Sequence, residues 1–312
     1  MKAVVYHRYG SPAELRLEQV PEPSLERDDH VLVKVRATSI NSWDWDLLRG
    51  YLAVRRKPRH PVMGADVAGV VEAVGASVTR FRPGDQVFGD LSHEGWGGLG
   101  EYACAREKAL ASMPAGLTFE QAAAVPQAGV LALQGLSYRG EVQQGHEVLI
   151  NGAGGGVGTF AIQMAKASGA IVTAVDLATK LEGLGADAVI DYRHERFADR
   201  RGRYDRIIDV LLRDSIVARS RALRPGGVYG VIGGYLPRIA QAALLRPVMR
   251  GKRVGVVVHR PGREPLERLT ALLEAGTLVP VIDSTYELKD TRSAFERYAT
   301  GEFRGKVVIT HA

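Results

Sequence analysis

The chain has 312 residues, 46% of them hydrophobic, and carries 41 basic against 35 acidic side chains for a net charge of +6. That length suits about two domains and is ample for a buried core. The single cysteine, Cys104, excludes an internal disulfide framework and any site built from two or more thiolates. No apolar run approaches the ~20 residues of a membrane-spanning helix, and Met1 leads directly into the strand-like KAVVY. The expectation is a soluble, cytoplasmic protein without a membrane partner.

From Met1 to about Pro114 the chain reads as short β runs divided by Gly, Pro and Asp: KAVVY, ELRLEQV, HVLVKVRATSI, ADVAGVVEAV, GDQVFG and EYACA. So many short strands predict an all-β unit, a partly closed barrel. Near Leu117 the texture changes. Thr118 is a plausible N-cap, with Gln121 three residues on, and the alanine-rich QAAAVPQAGVLALQGL follows with helical character.

After Gly145 the apolar strand EVLIN runs into GAGGGVG, then the helical TFAIQMAKASG, then the β-branched IVTAV that ends at Asp176, together one βαβ unit. Further strand-like runs at 188–190, 206–210, 227–232 and 254–258 alternate with helix-compatible segments. This predicts an α/β fold with a parallel, doubly wound sheet. The last stretch holds an amphipathic helix near Leu266–Glu274, a PVID strand, a helix near Thr291–Ala299 and the strand KVVIT. The expected organisation is a β-rich domain over 1–120, a Rossmann domain over 121–257, and a return to the first domain over 258–312.

The glycine cluster is the strongest single signal. Ala153, Gly155 and Gly158 occupy the G-x-G-x-x-G positions between a strand and a helix, the context that turns a weak pattern into a dinucleotide fingerprint. Ala153, Gly154, Gly155, Gly156, Val157 and Gly158 are therefore cofactor-binding candidates: small residues permit a tight turn, bring backbone N–H groups against a pyrophosphate and let the helix pack close to the sheet. Asp176, at the end of the second strand, stands where an acidic side chain bonds the adenosine ribose, which slightly favours NADH. Lys180, four residues on, is placed to hold the 2′-phosphate of NADPH, so NAD(P)H stays open between the two. Gly233 and Gly234, after a predicted strand, are further candidates for a close backbone approach to the cofactor.

These features resemble the medium-chain dehydrogenase/reductase superfamily, especially its zinc-independent quinone oxidoreductase branch with zeta-crystallin-like and reticulon-interacting-protein-like members. The resemblance rests on NSWDWDLLRG at Asn41–Gly50, GADVAGVVEAVG at Gly64–Gly75, FRPGDQVFG at Phe81–Gly89, LINGAGGGVGTFAIQMAK, LGADAVIDY at Leu184–Tyr192 and the closing RGKVVIT. It implies a GroES-like β-barrel-type catalytic domain made from both chain ends, a Rossmann domain between them, and a homodimer formed through the sheet edge near Val254–Val258. It also places Tyr192 among the cofactor-binding residues.

Zinc-dependent members of the superfamily need at least three protein ligands for a catalytic metal. Here Asn41 or its neighbours stand where they have the first Cys, and Gly64-Ala65-Asp66 where they have Gly-His-Glu, so no metal site and no zinc are expected. Without a metal, the chemistry implied is hydride delivery to a quinone or an α,β-unsaturated carbonyl, whose own oxygen takes up the developing charge.

By the same resemblance Asn41 lies beside nicotinamide and substrate as a hydrogen-bond donor, and Tyr51 positions substrate or donates a proton. Asp44 completes Asn-x-x-Asp as a brace, while Trp43 and Trp45 are either an aromatic wall or ordinary packing. The segment QAGVLA at Gln127–Ala132 departs from a common Thr-containing pattern, and VLLRD after Asp209 replaces a Gly-containing turn. Enzymatic alternatives are an enoyl reductase tailoring a polyketide or acyl intermediate, or a zinc-free alcohol dehydrogenase; outside enzymes, a nucleotide-binding adaptor with little turnover.

The charge is uneven. Ser215–Arg263 contains no acidic residue but carries Lys252 and nine Arg, including Arg219, Arg224, Arg246, Arg250 and Arg253. This is either a solvated surface or a field that attracts an anionic ligand. No nucleic-acid recognition motif accompanies it, so nucleic acid is not an expected partner.

Overall fold

The computed structural model describes residues 1–51, 57–234, 236–244 and 251–311. They fall into two units, one of Met1–Ala128, Pro261–Gly276 and Pro280–Ala312, the other of Gly129–Arg260 and Thr277–Val279.

The first unit is organised by strand β3 (His30–Ser39), whose alternating HVLVKVRA turns Val31, Val33, Val35 and Ala37 into the core. One edge of β3 pairs antiparallel with β4 (Asp66–Val74). Its other edge is shared by β6 (Tyr102–Arg106), opposite His30–Lys34, and β15 (Lys306–Thr310), opposite Ala37–Ser39. Beyond β4 lie β5 (Gln86–Asp90) and β7 (Leu110–Ser112), and beyond β15 lies the parallel β14 (Ile282–Glu287). β1 (Lys2–Val5) and β2 (Arg16–Gln19) form a separate antiparallel pair.

The register has a functional consequence. Ser39 lies opposite both Val308 and Asp66, so the segment that ends β3, the start of β4 and the start of β15 bring Asn41, Asp66 and Lys306 together. One apolar cluster, with Val33, Val71, Phe81 and Val87, fills one part of this unit, and a second, with Tyr6, Leu48, Met63, Phe295 and Ile309, another.

Helix α1 (Ser42–Arg49) follows β3 directly. The alanine-rich segment expected to be helical forms two helices, α2 (Phe119–Ala123) and α3 (Pro126–Ser137), divided where Pro126, lacking an N–H, opens the second. Thr118 and Gln121 form the expected capping box, with the Thr118 N–H donating to Gln121 Oε1 at 2.9 Å and the Gln121 N–H to Thr118 Oγ1 at 3.3 Å.

The second unit is a six-stranded sheet in which every pairing is parallel. Its strands are β8 (Glu147–Asn151), β9 (Ile171–Asp176), β10 (Ala188–Asp191), β11 (Tyr204–Asp209), β12 (Leu223–Val231) and β13 (Arg253–Val256), in the order β10-β9-β8-β11-β12-β13. This is the doubly wound order, with its switch point between β8 and β11, where ligands bind outside the carboxyl ends of the strands. Asn151, Asp176 and Asp209 are the last residues of β8, β9 and β11, all at that edge.

Candidate active site

The glycine turn joins β8 to helix α4 (Gly156–Ala167), with Gly155 as an N-cap that has no side chain to satisfy the first N–H groups of the helix. Gly158 is required by close approach, because a Cβ there would overlap the Gly152 carbonyl oxygen and the backbone of Ala153. At Gly155, by contrast, a Cβ would meet nothing nearer than 3.6 Å, leaving open space above the turn. A tight base with an open, N–H-rich top fits a dinucleotide pyrophosphate.

Asp176 closes the turn from below. Its Oδ2 accepts the Gly154 N–H at 3.0 Å, its Oδ1 accepts the Leu177 N–H at 2.8 Å, and Lys180 Nζ stands 3.2 Å from Oδ1. Both side chains are nearly buried. Asp176 thus braces the loop and pairs with the lysine that the sequence sets against it. Lys180 sits in a single-turn helix, α5 (Ala178–Leu181).

Tyr192 is exposed just beyond β10. Gly233 and Gly234 follow β12, where Gly234 bridges to Leu212. Leu211, in the variant VLLRD segment, lies beside Gly152 and is 40% exposed.

A buried polar network that the sequence did not foretell stands behind this edge. Asp209, wholly buried, accepts from Asn151 Nδ2 at 2.7 Å, Arg219 Nη1 at 2.8 Å and Tyr229 Oη at 2.5 Å. Burial, reinforced by the Asp209 charge, raises the Tyr229 pKa well above that of a free phenol. Arg219 also reaches Asp214, so it clamps both ends of the VLLRD loop.

Much of the arginine-rich stretch is spent on such bonds. Arg224 pairs with Asp205 at 2.7 Å, Lys252 Nζ donates to the Ser220 carbonyl at 2.5 Å, and Arg253 donates to the Gly226 and Arg139 carbonyls. Arg246 and Arg250 lie outside the described residues.

In the first unit Asn41 ends the β3 segment and caps α1. Its backbone N–H donates to Asp44 Oδ2 at 2.9 Å, while Asp44 Oδ1 accepts the Gly64 N–H at 3.0 Å. Asp44 therefore ties the start of α1 to the approach to β4. Its complete burial lifts its pKa to about 7, against the opposing pull of the Asn41 N–H.

The Asn41 side chain turns inward. Nδ2 donates to Asp66 Oδ2 at 2.9 Å and lies 3.5 Å from the Ser39 carbonyl oxygen, and Oδ1 accepts from Lys306 Nζ. Lys306 Nζ also lies 3.2 Å from Asp66 Oδ2. Asp66 accepts further from Ser39 Oγ at 3.0 Å and from the Gln127 backbone N–H at 2.9 Å. Asp66 is wholly buried and its pKa is raised by that burial, with the Lys306 charge pulling the other way.

In the sequence Lys306 belongs to the closing RGKVVIT, with no site role assigned to it. The preceding Gly305 has φ +74°, and a Cβ there would overlap the Val281 carbonyl oxygen, so a tight turn of chain delivers the lysine to the interior.

Tyr51 lies 42% exposed just past α1. Trp45 packs against Tyr298 at a centroid distance of 6.1 Å and under the Arg49 guanidinium, and Trp43 stacks on His93. These contacts account for Trp45 as packing within the second apolar cluster.

Among the described residues no group of three or more His, Cys, Asp or Glu side chains is placed to hold a metal ion. The donor set does not fit a catalytic zinc: the carboxylate of Asp66 is already held by an ammonium, and the neighbouring amide oxygen by the same cation. A cavity of 430 Å³ in this unit, lined by Met1, His60, Trp96 and Cys104 among others, contains none of the residues named above as site candidates. Burial pushes the Cys104 thiol up to about 11, which keeps it protonated at neutral pH.

The fold and the glycine turn define a nicotinamide-dependent dehydrogenase or reductase. Family models describing an alcohol dehydrogenase GroES-like domain and a zinc-binding dehydrogenase match residues 27–115 and 184–309. A 2-methylene-furan-3-one reductase of Solanum lycopersicum is 36% identical over 99% of this chain and 79% of its own. Among solved structures, the quinone oxidoreductase from Coxiella burnetii superposes with a TM-score of 0.90 at 30% identity, covering 99% of both chains. The Escherichia coli quinone oxidoreductase complexed with NADPH gives 0.84 at 25% identity over 99% of this chain and all of the other. The chain belongs to the medium-chain dehydrogenase/reductase superfamily, in its quinone oxidoreductase branch.

Proposed function

We propose that this protein is an NAD(P)H-dependent reductase of quinones or α,β-unsaturated carbonyl compounds that works without zinc. The observation that supports this reading is the Asn41–Asp66–Lys306 cluster, in which an internal ammonium holds the carboxylate and the amide oxygen that a metal would otherwise bind. A substrate that needs no Lewis acid is one whose conjugation already spreads the charge left by hydride addition.

When bound, the reduced nicotinamide supplies the hydride. The residues of the chain do the rest. The 152–158 turn and the N-terminus of α4 bind the pyrophosphate. Asp176 faces the adenosine ribose, which supports NADH, while Lys180 beside it supports NADPH; the sequence-based preference for NADH rests on Asp176 alone. Asn41, with Oδ1 held by Lys306, has only its amino group to offer to a substrate oxygen, and that group already donates to Asp66 at 2.9 Å and lies 3.5 Å from the Ser39 carbonyl oxygen. Tyr51, exposed just past α1, would orient the substrate. Gly233, Gly234 and Tyr192 complete the proposed cofactor surface. Edge strand β13, with Val258 65% exposed just beyond it, supports dimer formation there.

Steady-state oxidation of NADH and NADPH against simple quinones and enones tests this reading. Turnover with either substrate class supports it. Tight nucleotide binding with no oxidation across the panel would leave a nucleotide-binding adaptor, and oxidation of simple alcohols in preference would point to an alcohol dehydrogenase.

A further inference from the structure

Asp66 gathers four partners, and the side chains of three are satisfied by the gathering. Asn41 has its oxygen on Lys306 and an N–H on Asp66; Lys306 bonds both; Ser39 Oγ lies 2.7 Å from the Ala123 carbonyl oxygen and 3.0 Å from Asp66. The fourth, Gln127, differs. Its backbone N–H is pinned to Asp66 Oδ1 at 2.9 Å, in the first turn of α3, the residue is only 2% exposed, and its buried Nε2 has no hydrogen-bond partner. A buried amide donor left without an acceptor costs stability in the free protein, and that cost is recovered only if an acceptor arrives.

We propose that Gln127 is a substrate-binding residue whose Nε2 donates a hydrogen bond to the conjugated carbonyl oxygen of an enone or quinone. This rests on the reductase reading above and extends it, since Asn41 then serves chiefly to carry the polar floor on which Gln127 is mounted. Hydride addition at the β-carbon of an enone moves the C=C electron pair towards the carbonyl oxygen. The bond from Gln127 strengthens as that oxygen becomes an enolate, and a proton from water then completes the α-carbon while the nicotinamide leaves oxidised. The anchor to Asp66 fixes the backbone position from which the Gln127 side chain reaches. A glutamine here also favours substrates with an oxygen to bond over purely hydrocarbon alkenes, because the latter would leave the amide unpaired.

The test compares wild type with Gln127→Met, which keeps the length and removes the donor. Three quantities are read: thermal midpoint without ligand, NADPH and NADH affinity by fluorescence titration, and kcat/KM for 2-cyclohexen-1-one. The proposal expects an unchanged or raised midpoint, nucleotide affinity within about twofold, and kcat/KM lowered about 10- to 100-fold. Unchanged kcat/KM would overturn it. A loss of nucleotide affinity instead would also overturn the substrate assignment and move the acceptor to the cofactor. If wild type itself reduces no enone or quinone, the reductase reading fails; if wild type is active and Gln127→Met matches it, only the role of Gln127 fails.

Discussion

Lys306 Nζ lies 3.2 Å from Asp66 Oδ2, with the two side chains only 4% and 0% exposed, although 240 residues separate them in the chain. The pair joins the last strand to the middle of the first unit and fixes which end of the Asn41 amide points inward. Removing one partner of such a pair leaves an uncompensated buried charge, which is much worse than removing both.

Lys306→Met is therefore expected to destabilise the protein by about 3–5 kcal/mol, and the double variant Lys306→Met with Asp66→Asn to recover a large part of that loss. Urea unfolding of the four proteins of this cycle measures the coupling. Additive losses would show that the two charges do not interact.

Two buried groups give opposing pH effects on stability. Asp44 has its pKa raised to about 7, so the native state holds a proton that the unfolded state releases, and the stability it contributes is lost as pH rises from about 4 to 7. His311, nearly buried with Nε2 donating to the Gly98 carbonyl at 3.0 Å, has its pKa lowered to about 4. It is the reverse case: its contribution is present above pH 6.5 and is lost as pH falls towards 4. Asp44→Asn should remove the first effect. Its thermal midpoint, relative to wild type, should improve as pH is raised from 4 to 7, and a constant difference across that range would contradict the burial of an acid at this position.

The two glycines of the turn should behave differently. Gly158→Ala forces a methyl group into the Gly152 carbonyl, an overpacking that costs about 1–3 kcal/mol and distorts the turn, so nucleotide affinity should fall sharply. Gly155→Ala has room for its methyl in the unliganded turn and should leave stability nearly unchanged, but that methyl stands in the space the pyrophosphate needs, so nucleotide affinity should fall there as well. Urea unfolding separates the two by stability and fluorescence titration with NADPH reads the affinity, and a Gly155→Ala protein that binds NADPH as wild type does would misplace the pyrophosphate.

Asp176→Ser should weaken binding of both nucleotides, because the carboxylate braces Gly154 and Leu177. The NADH loss should be greater by about tenfold, the scale of one hydrogen bond to a charged group. An equal loss for both would confine Asp176 to its bracing role.

Much of this architecture was legible in the residues because it is local. The GAGGGVG turn, the Thr118–Gln121 box, the helix at Thr291–Ala299 and the strand KVVIT each declare themselves within a few positions. Where the helices divide was not read from the sequence, because the alanine-rich pattern continues on both sides of Pro126. The Asn41–Asp66–Lys306 cluster was not, since register between strands remote in sequence decides which residues of β4 and β15 meet the end of β3. The same holds for Gln127: the sequence marks its segment as unusual, but only tertiary burial shows an amide without a partner. The Asp209–Arg219–Tyr229 network likewise depends on strand pairing in the second unit. A basic stretch in sequence carried no information about how many of its arginines were already bonded.

The most direct test of hydride delivery to a conjugated carbon uses NADPH or NADH deuterated at the transferring C4 position and an enone substrate, with the label located in the product by NMR. The account predicts deuterium on the β-carbon of a saturated ketone. Deuterium on the former carbonyl carbon, in an allylic alcohol, would contradict it and make the protein a carbonyl reductase.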